Sequence, residues 1–134
     1  MTYFADASEV YHYLGGVVRA ANDEPSAGPA LRDADLVLRL DYSNPDSSIT
    51  VSLRQTGIEV IEGDSDLVPD VRLAMSADNG DKFWRGEYNV AVGLAKGQVK
   101  AKGPVSKILK LIPISKPLFP IYKNLVAEKD AERS

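Results

Sequence analysis

The chain of 134 residues has no cysteine and only one histidine, His12. Without cysteine there is no thiol nucleophile, disulfide framework or cysteine-ligated zinc site. Serine catalysis needs a base such as histidine, and His12 falls on the polar side of a predicted first helix. No apolar run approaches the roughly eighteen residues of a membrane span, and the N-terminus does not resemble a signal peptide. We therefore expect a cytoplasmic protein that is not an enzyme.

Carboxylates are plentiful, but their positions do not indicate a metal or acid/base site. Asp64 and Asp66, like Asp78 and Asp81, fall where short polar side chains are expected to bond backbone amides in loops and helix caps. Residues 97–103 are glycine-bounded but lack the Lys-Ser/Thr ending of a phosphate-binding loop. The sequence therefore predicts no metal and no cofactor.

Acidic residues are absent from residues 88–127, which contain seven lysines. These lysines are Lys96, Lys100, Lys102, Lys107, Lys110, Lys116 and Lys123. Residues 1–87 carry sixteen acids against seven bases, so the net charge of −3 hides two oppositely charged parts. A basic, apolar segment suits anionic lipid head groups, but the lysines would equally form a solvated rim. Few aromatics and a negative total charge argue against nucleic acid binding.

The first half of the chain predicts one helix followed by strands. Asp6 and Glu9 have capping-box spacing, and apolar residues then recur at helical spacing over residues 7–21. Two prolines and a glycine predict a loop over residues 22–30. Period-two alternation then predicts four strands, at residues 36–42, 48–54, 58–60 and 71–75. An antiparallel meander with one solvated face is the simplest arrangement of these strands.

The second half predicts two short helices, a fifth strand and a final helix. Ser76 is placed to cap a helix that ends near Arg85, and a strand lies within residues 97–103. A helical stripe follows, formed by Val105, Ile108, Leu109 and Ile112. Pro113, Pro117 and Pro120 then predict an irregular, stiff connection, with the last helix beginning near Pro120. Because prolines deny regular hydrogen bonding, we expect residues 112–125 to act as a mobile gate, and a polar tail to begin near residue 128.

This order of elements resembles the sterol carrier protein 2 family over about residues 5–126. The most specific part runs from Met75 to Leu111: Ser76-Ala77-Asp78, then Trp84, Gly86-Glu87, Ala91, and the run Gly97-x-Val99-Lys100-x-Lys102-Gly103 before an apolar helix. The resemblance implies an α+β fold, with a five-stranded, mostly antiparallel sheet covered on one face by helices and a hydrophobic tunnel between them. The chain departs from the family pattern at Asn89-Val90 and at Pro104. These departures weaken any inference from the family about which ligand this chain binds.

The hypothesis that follows is a single lipid-binding domain over residues 1–134. It would bind, and possibly transfer, a sterol, fatty acid, acyl-CoA or phospholipid, all of which the resemblance implies. The expected lining residues are Phe83, Trp84, Val92, Leu94, Ile108, Leu109, Ile112, Ile114, Leu118, Phe119, Ile121 and Leu125. Lys107, Lys110, Lys116 and Lys123 are the expected contacts to head groups or a membrane. The alternatives are an accessory subunit that docks on an enzyme of lipid or steroid metabolism, and an enzyme of an unrecognised type.

Overall fold

The structure, a computed structural model that describes residues 2–133, contains one five-stranded sheet. Its strands are β1 (Leu36–Ser43), β2 (Ser47–Arg54), β3 (Gly57–Glu62), β4 (Val71–Ser76) and β5 (Lys100–Lys102). The order across the sheet is β3-β2-β1-β4-β5, and every neighbouring pair is antiparallel except β1 and β4. The predicted α+β class with a mostly antiparallel sheet is confirmed.

The predicted meander is wrong at β4, which pairs parallel to β1. Strands β3 and β4 run in the same direction, so residues 63–70 must return the chain along the sheet. Asp64 faces Arg39 on the outer side at 3.9 Å, and the outward-facing Thr50 is 1% exposed, so this side is only partly solvated. Asp70 ends the crossover, since its carboxylate accepts a 2.8 Å hydrogen bond from the Val37 amide.

The helices cover the other face of the sheet. Helix α1 runs as Ala7–Val10, a π-helical turn at Tyr11–Gly15, and Gly16–Ala20. The others are α2 (Ala27–Asp33), α3 (Ala77–Trp84), α4 (Val90–Lys96), α5 (Val105–Ser115) and α6 (Phe119–Arg133). Among residues 2–133, no helix is both long and apolar enough to cross a membrane.

Helix α1 begins as predicted, but the loop predicted after it contains α2. Asp6 accepts a 3.0 Å hydrogen bond from the Glu9 amide, which confirms the cap. Residues 22–30 were expected to be irregular because of their prolines. The Glu24 carboxylate instead accepts from the amides of Ser26 and Ala27 at the start of α2. Pro29 falls in the first turn, where its missing N–H has no intrahelical acceptor.

Two further segments are helical although the sequence analysis did not predict it. Helix α4 is capped at its start by Asn89, whose side chain accepts from the Val92 amide at 3.1 Å, and at its end by Gly97 in the left-handed conformation. The prediction of an irregular connection around Pro113, Pro117 and Pro120 is also wrong. Helix α5 continues through Pro113, and a 3-10 turn at Lys116–Leu118 leads directly into α6.

Pro117 and Pro120 lie in first turns, which tolerate proline. Leu118 and Tyr122 are fully buried in the same stretch. Residues 112–125 were predicted to form a mobile gate because they would lack regular hydrogen bonding. They are helical, so that reason does not hold.

Two glycines on neighbouring helices give a test of this packing. A Cβ on Gly28 would overlap the Ala21 carbonyl oxygen, whereas one on Gly16 would find ordinary contact with Leu125 at 3.8 Å. We expect Gly28→Ala to lower the free energy of unfolding by about 1–3 kcal/mol. Gly16→Ala should raise it by about 0.5–1 kcal/mol through helix propensity. Urea unfolding measures both, and equal shifts would contradict this packing.

Candidate functional site

The core between the sheet and the helices is divided into two clusters. The larger packs around α1, α2, α6 and the sheet, and the smaller joins buried residues of β4, α4 and α5 with Val99. Leu38, Leu40, Met75 and Phe83 pack against both clusters, yet each is only partly buried. Partial exposure on the inner face of the central strand β1 means that the two clusters leave open space where they meet.

That space is a cavity of about 100 Å³. Its floor is the inner face of three strands: Leu38, Leu40, Tyr42, Val51, Leu53, Leu73 and Met75. Its roof comes from the helices and the 3-10 turn: Val18, Leu31, Gly80, Phe83, Trp84, Val90, Ile108, Leu111, Ile112, Ser115 and Leu118. Among these wall residues none is charged, so the cavity suits an apolar group.

Tyr42 closes one end of the floor, beside the start of α3. Its strand register places it next to Met75 of β4. A Cβ on Gly80 would lie 2.9 Å from the Tyr42 ring and 3.2 Å from Leu14, so only glycine allows this approach of helix and strand. Burial raises the pKa of the Tyr42 phenol, which therefore stays protonated at neutral pH.

Aromatic rings fasten the roof to α6. The Trp84 ring meets Phe119 edge-to-face at a centroid distance of 6.2 Å, and Phe83 meets Phe119 in the same way at 5.6 Å. Tyr122 lies 6.5 Å from Trp84. Such pairs add about 0.5–1.5 kcal/mol each beyond the area they bury. Phe119 thus packs against the two wall residues Phe83 and Trp84 without lining the cavity itself.

A partly buried polar network joins the opposite side of α3 to α6 and to the N-terminal segment. Asp81 accepts from Arg85 Nε at 2.9 Å and from the Tyr122 hydroxyl at 2.6 Å. Arg85 also forms two hydrogen bonds to Asp130, at 3.0 and 3.2 Å, and the Tyr3 hydroxyl donates to Asp130 at 2.5 Å. The expectation that Asp81 sits in a loop or cap is therefore wrong, because it lies inside α3 and joins that helix to α6.

The pKa values of this network reflect burial and its hydrogen bonds. Burial and the hydrogen bond to Asp81 both raise the pKa of Tyr122, and burial and the bond to Asp130 do the same for Tyr3. Burial alone would lower the pKa of Arg85, but its bonds to Asp130 and Asp81 outweigh that effect and raise it. Both tyrosines are thus neutral donors and Arg85 is a fixed cation.

The structure brings together some of the residues predicted to line the site. On the wall are Phe83, Trp84, Ile108, Ile112 and Leu118. Partly buried and packed elsewhere in the core are Leu94, Ile114, Phe119, Ile121 and Leu125. Val92 and Leu109 are 45% and 42% exposed and lie outside the cavity. The four lysines predicted to contact head groups, Lys107, Lys110, Lys116 and Lys123, are all exposed.

The sequence analysis missed the wall residues of the first half of the chain. The residues expected to line the site all lie after β4, whereas β1 and β2 supply five floor residues. The alternation of Leu38, Leu40 and Tyr42 did indicate their shared face. It carried no signal that this face meets open space, since that depends on how helices from distant parts of the chain pack.

The fold and the cavity define an α+β domain built around an apolar space between a sheet and its helices. A sequence model of the SCP-2 sterol transfer family matches residues 17–116, and the chain belongs to that family. No curated protein matches the chain.

Solved structures share this fold at low sequence identity. Sterol carrier protein 2 from Yarrowia lipolytica, in its apo form, has a TM-score of 0.67 and 20% identity, covering 88% of this chain and 98% of that chain. The sterol carrier protein domain 2 of Helicoverpa armigera has a TM-score of 0.67 and 15% identity, covering 81% and 88%. UbiJ-SCP2, described as a ubiquinone synthesis protein, has a TM-score of 0.59 and 16% identity, covering 78% and 89%. Identities this low show the shared fold alone.

The polar network predicts unequal effects of two carboxylate deletions. Asp81→Ala leaves Arg85 and Tyr122 without their buried acceptor, so we expect the free energy of unfolding to fall by about 3 kcal/mol or more. Glu62→Ala removes only an exposed pair with Arg19 and should cost less than about 1 kcal/mol. Urea unfolding with circular dichroism measures both. Similar losses for the two variants would show that the network does not stabilise the fold.

Proposed function

We propose that this protein binds, and transfers, a hydrophobic ligand in the cavity between the sheet and the helices. The observation that carries the proposal is the uncharged wall where the two core clusters meet. Each methylene group moved from water into such a space contributes about 0.8 kcal/mol. A lipid chain therefore needs few polar contacts to bind, and membership of a sterol transfer family supports the same interpretation.

Part of the wall is expected to move when a lipid chain enters the cavity. Met75, Phe83 and Ile112 line the space and are only partly buried. Met75 has a flexible, unbranched side chain that adapts to irregular spaces. These side chains are the ones we expect to rotate as a longer chain enters.

The wall supports binding without chemistry. Its hydroxyl groups are those of Tyr42 and Ser115, and no wall residue is a histidine, carboxylate or amine that would activate them. The Ser115 hydroxyl donates to the Leu111 carbonyl at 2.9 Å, so it is held within α5. His12 is exposed on α1. We therefore propose a binding protein with no turnover of its own.

A pair of substitutions on α5 tests the site. Ile112→Trp places a larger ring in the cavity and should weaken binding of a radiolabelled medium-chain fatty acid at least tenfold, because it occupies the space that the chain needs. Leu109→Trp changes an exposed position on the same helix and should leave affinity unchanged. Equilibrium dialysis measures both, with circular dichroism to check folding. If the two variants bind equally well, the cavity is not the ligand site.

We also propose that α5 meets anionic membranes when ligand is exchanged. Val105 and Leu109 are 37% and 42% exposed on this helix, and the exposed Lys107 and Lys110 flank Leu109 in sequence. Apolar contact and attraction to anionic head groups act together at such a surface. The attraction falls as salt screens the charges.

Vesicle binding tests this contact. We expect binding to vesicles that contain phosphatidylserine, at low salt, and weaker binding as salt rises or when only phosphatidylcholine is present. Lys110→Glu should reduce the affinity about fivefold or more, since each lysine near the surface contributes about 1 kcal/mol. Lys82→Glu alters an exposed lysine of α3 and serves as the control. An equal effect of both substitutions would reduce the lysines of α5 to a solvated rim.

The alternative function is an accessory subunit that docks on an enzyme through the same exposed face. The exposed apolar residues of α5 favour it as much as they favour a membrane, and a structure of the same fold is described as a ubiquinone synthesis protein. Absence of vesicle binding, together with a stable complex that Leu109→Glu disrupts, would support this function instead.

A further inference from the structure

The Tyr42 hydroxyl is a polar group for which the described part of the chain supplies no hydrogen-bond partner. Tyr42 is 7% exposed and lines the cavity, yet its hydroxyl has no hydrogen-bond partner among residues 2–133. The Tyr42 hydroxyl is also not fully enclosed by protein atoms. Among residues 2–133, the only fully enclosed side-chain nitrogen or oxygen without a hydrogen-bond partner is Thr50 Oγ1. An apolar ligand that covered the Tyr42 hydroxyl would leave it without a hydrogen bond, which is costly, whereas a ligand oxygen at this position would accept one.

The neighbouring helix α3 leaves room for the Tyr42 ring. Gly80 is required for the approach of the Tyr42 ring to α3, although glycine inside a helix is less favourable than alanine. Tyr42 lies four residues beyond Leu38 on β1, which places it about 13 Å along the floor. The ring is therefore fixed at one end of the cavity, and a chain lying over the floor would bring one end to it.

We infer that Tyr42 donates a hydrogen bond to a neutral oxygen at the buried end of the ligand, so that the preferred ligand is an apolar chain or ring system carrying a carbonyl or hydroxyl group. This inference rests on the proposed function of the cavity. A phenol that remains protonated acts here as the donor, and a ligand oxygen as the acceptor. Trp84, whose indole N–H also lacks a hydrogen-bond partner among residues 2–133, lines the same wall.

The neutral charge of the ligand group follows from the wall. Among the described residues, no lysine or arginine lines the cavity. A buried carboxylate without a cation costs far more than a neutral carbonyl that accepts a hydrogen bond. A ligand with an anionic group would have to keep that group outside the cavity, where the exposed lysines lie. The Tyr42 end of the cavity therefore selects ketones, esters, quinones or alcohols over fatty acid anions.

The test compares three ligands of equal chain length: methyl pentyl ketone, heptane and heptanoate. Their dissociation constants are measured for the full chain and for Tyr42→Phe from the emission of Trp84, the only tryptophan, with calorimetry as a second readout. We expect Tyr42→Phe to weaken binding of the ketone about five- to tenfold, the typical effect of losing one hydrogen bond. Binding of heptane should not change.

Tyr13→Phe is the matched control, because it removes the same hydroxyl from a residue that packs on Phe4 outside the cavity wall. It should leave all three affinities unchanged. The stability of Tyr42→Phe is a second control. Since the hydroxyl has no hydrogen-bond partner among residues 2–133, the melting temperature should be unchanged or higher. A clearly lower melting temperature would show that a protein group holds the hydroxyl and would overturn the inference.

The remaining outcomes separate this inference from the proposed function. If Tyr42→Phe changes the affinities for ketone and heptane by the same factor, or changes neither, Tyr42 is only part of the wall and the inference fails while the cavity remains a ligand site. If heptanoate alone depends on Tyr42, the group that binds there is an anion and the preference for neutral oxygen is wrong. If none of the ligands binds the unaltered protein, the proposed function itself fails.

Discussion

The parallel pairing of β1 with β4 is the constraint on which the cavity depends. It sets Leu40 beside Leu73 and Tyr42 beside Met75, so that one continuous apolar floor forms from strands separated by the β2–β3 hairpin. It also directs the chain from the end of β4 straight into α3, whose cap is the Ser76 side chain. Helix α3 then lies over the end of β1, where Gly80 meets the Tyr42 ring.

Helix α3 separates an apolar space from a charged network. Gly80 and Trp84 lie one turn apart and face the cavity, while Asp81 and Arg85 have the same spacing and face α6 and the N-terminal segment. Buried ion pairs contribute little net stability when compared with apolar packing, but removing one partner is costly. The network therefore fixes the position of α3 without filling the space beside it. That arrangement allows a wall that stays in place although the floor beneath it is not fully packed.

The sequence predicted the strands, the first helix, the cap at Ser76 and the helical stripe of α5, because each rests on short-range periodicity or on one capping side chain. It failed where two local signals competed. Pro29 and Pro117 were interpreted as breaks, but each lies in the first turn of a helical segment, where its missing N–H has no intrahelical acceptor. The last helix does begin next to Pro120, as predicted. Five of the twelve residues expected to line the site do so, and all five belong to the helical roof or to the turn that follows it.

What the sequence by itself determined is which residues are apolar on each face of each element, and hence that an α+β layer with an apolar interior would form. Period and composition are properties of neighbours along the chain, so they are visible without coordinates. Only the tertiary structure decided that β4 crosses to the far side of β1, that the core splits into two clusters, and that Tyr42 reaches the space between them with no hydrogen-bond partner among residues 2–133. Each of these depends on contacts between segments far apart in sequence, and no local pattern records them.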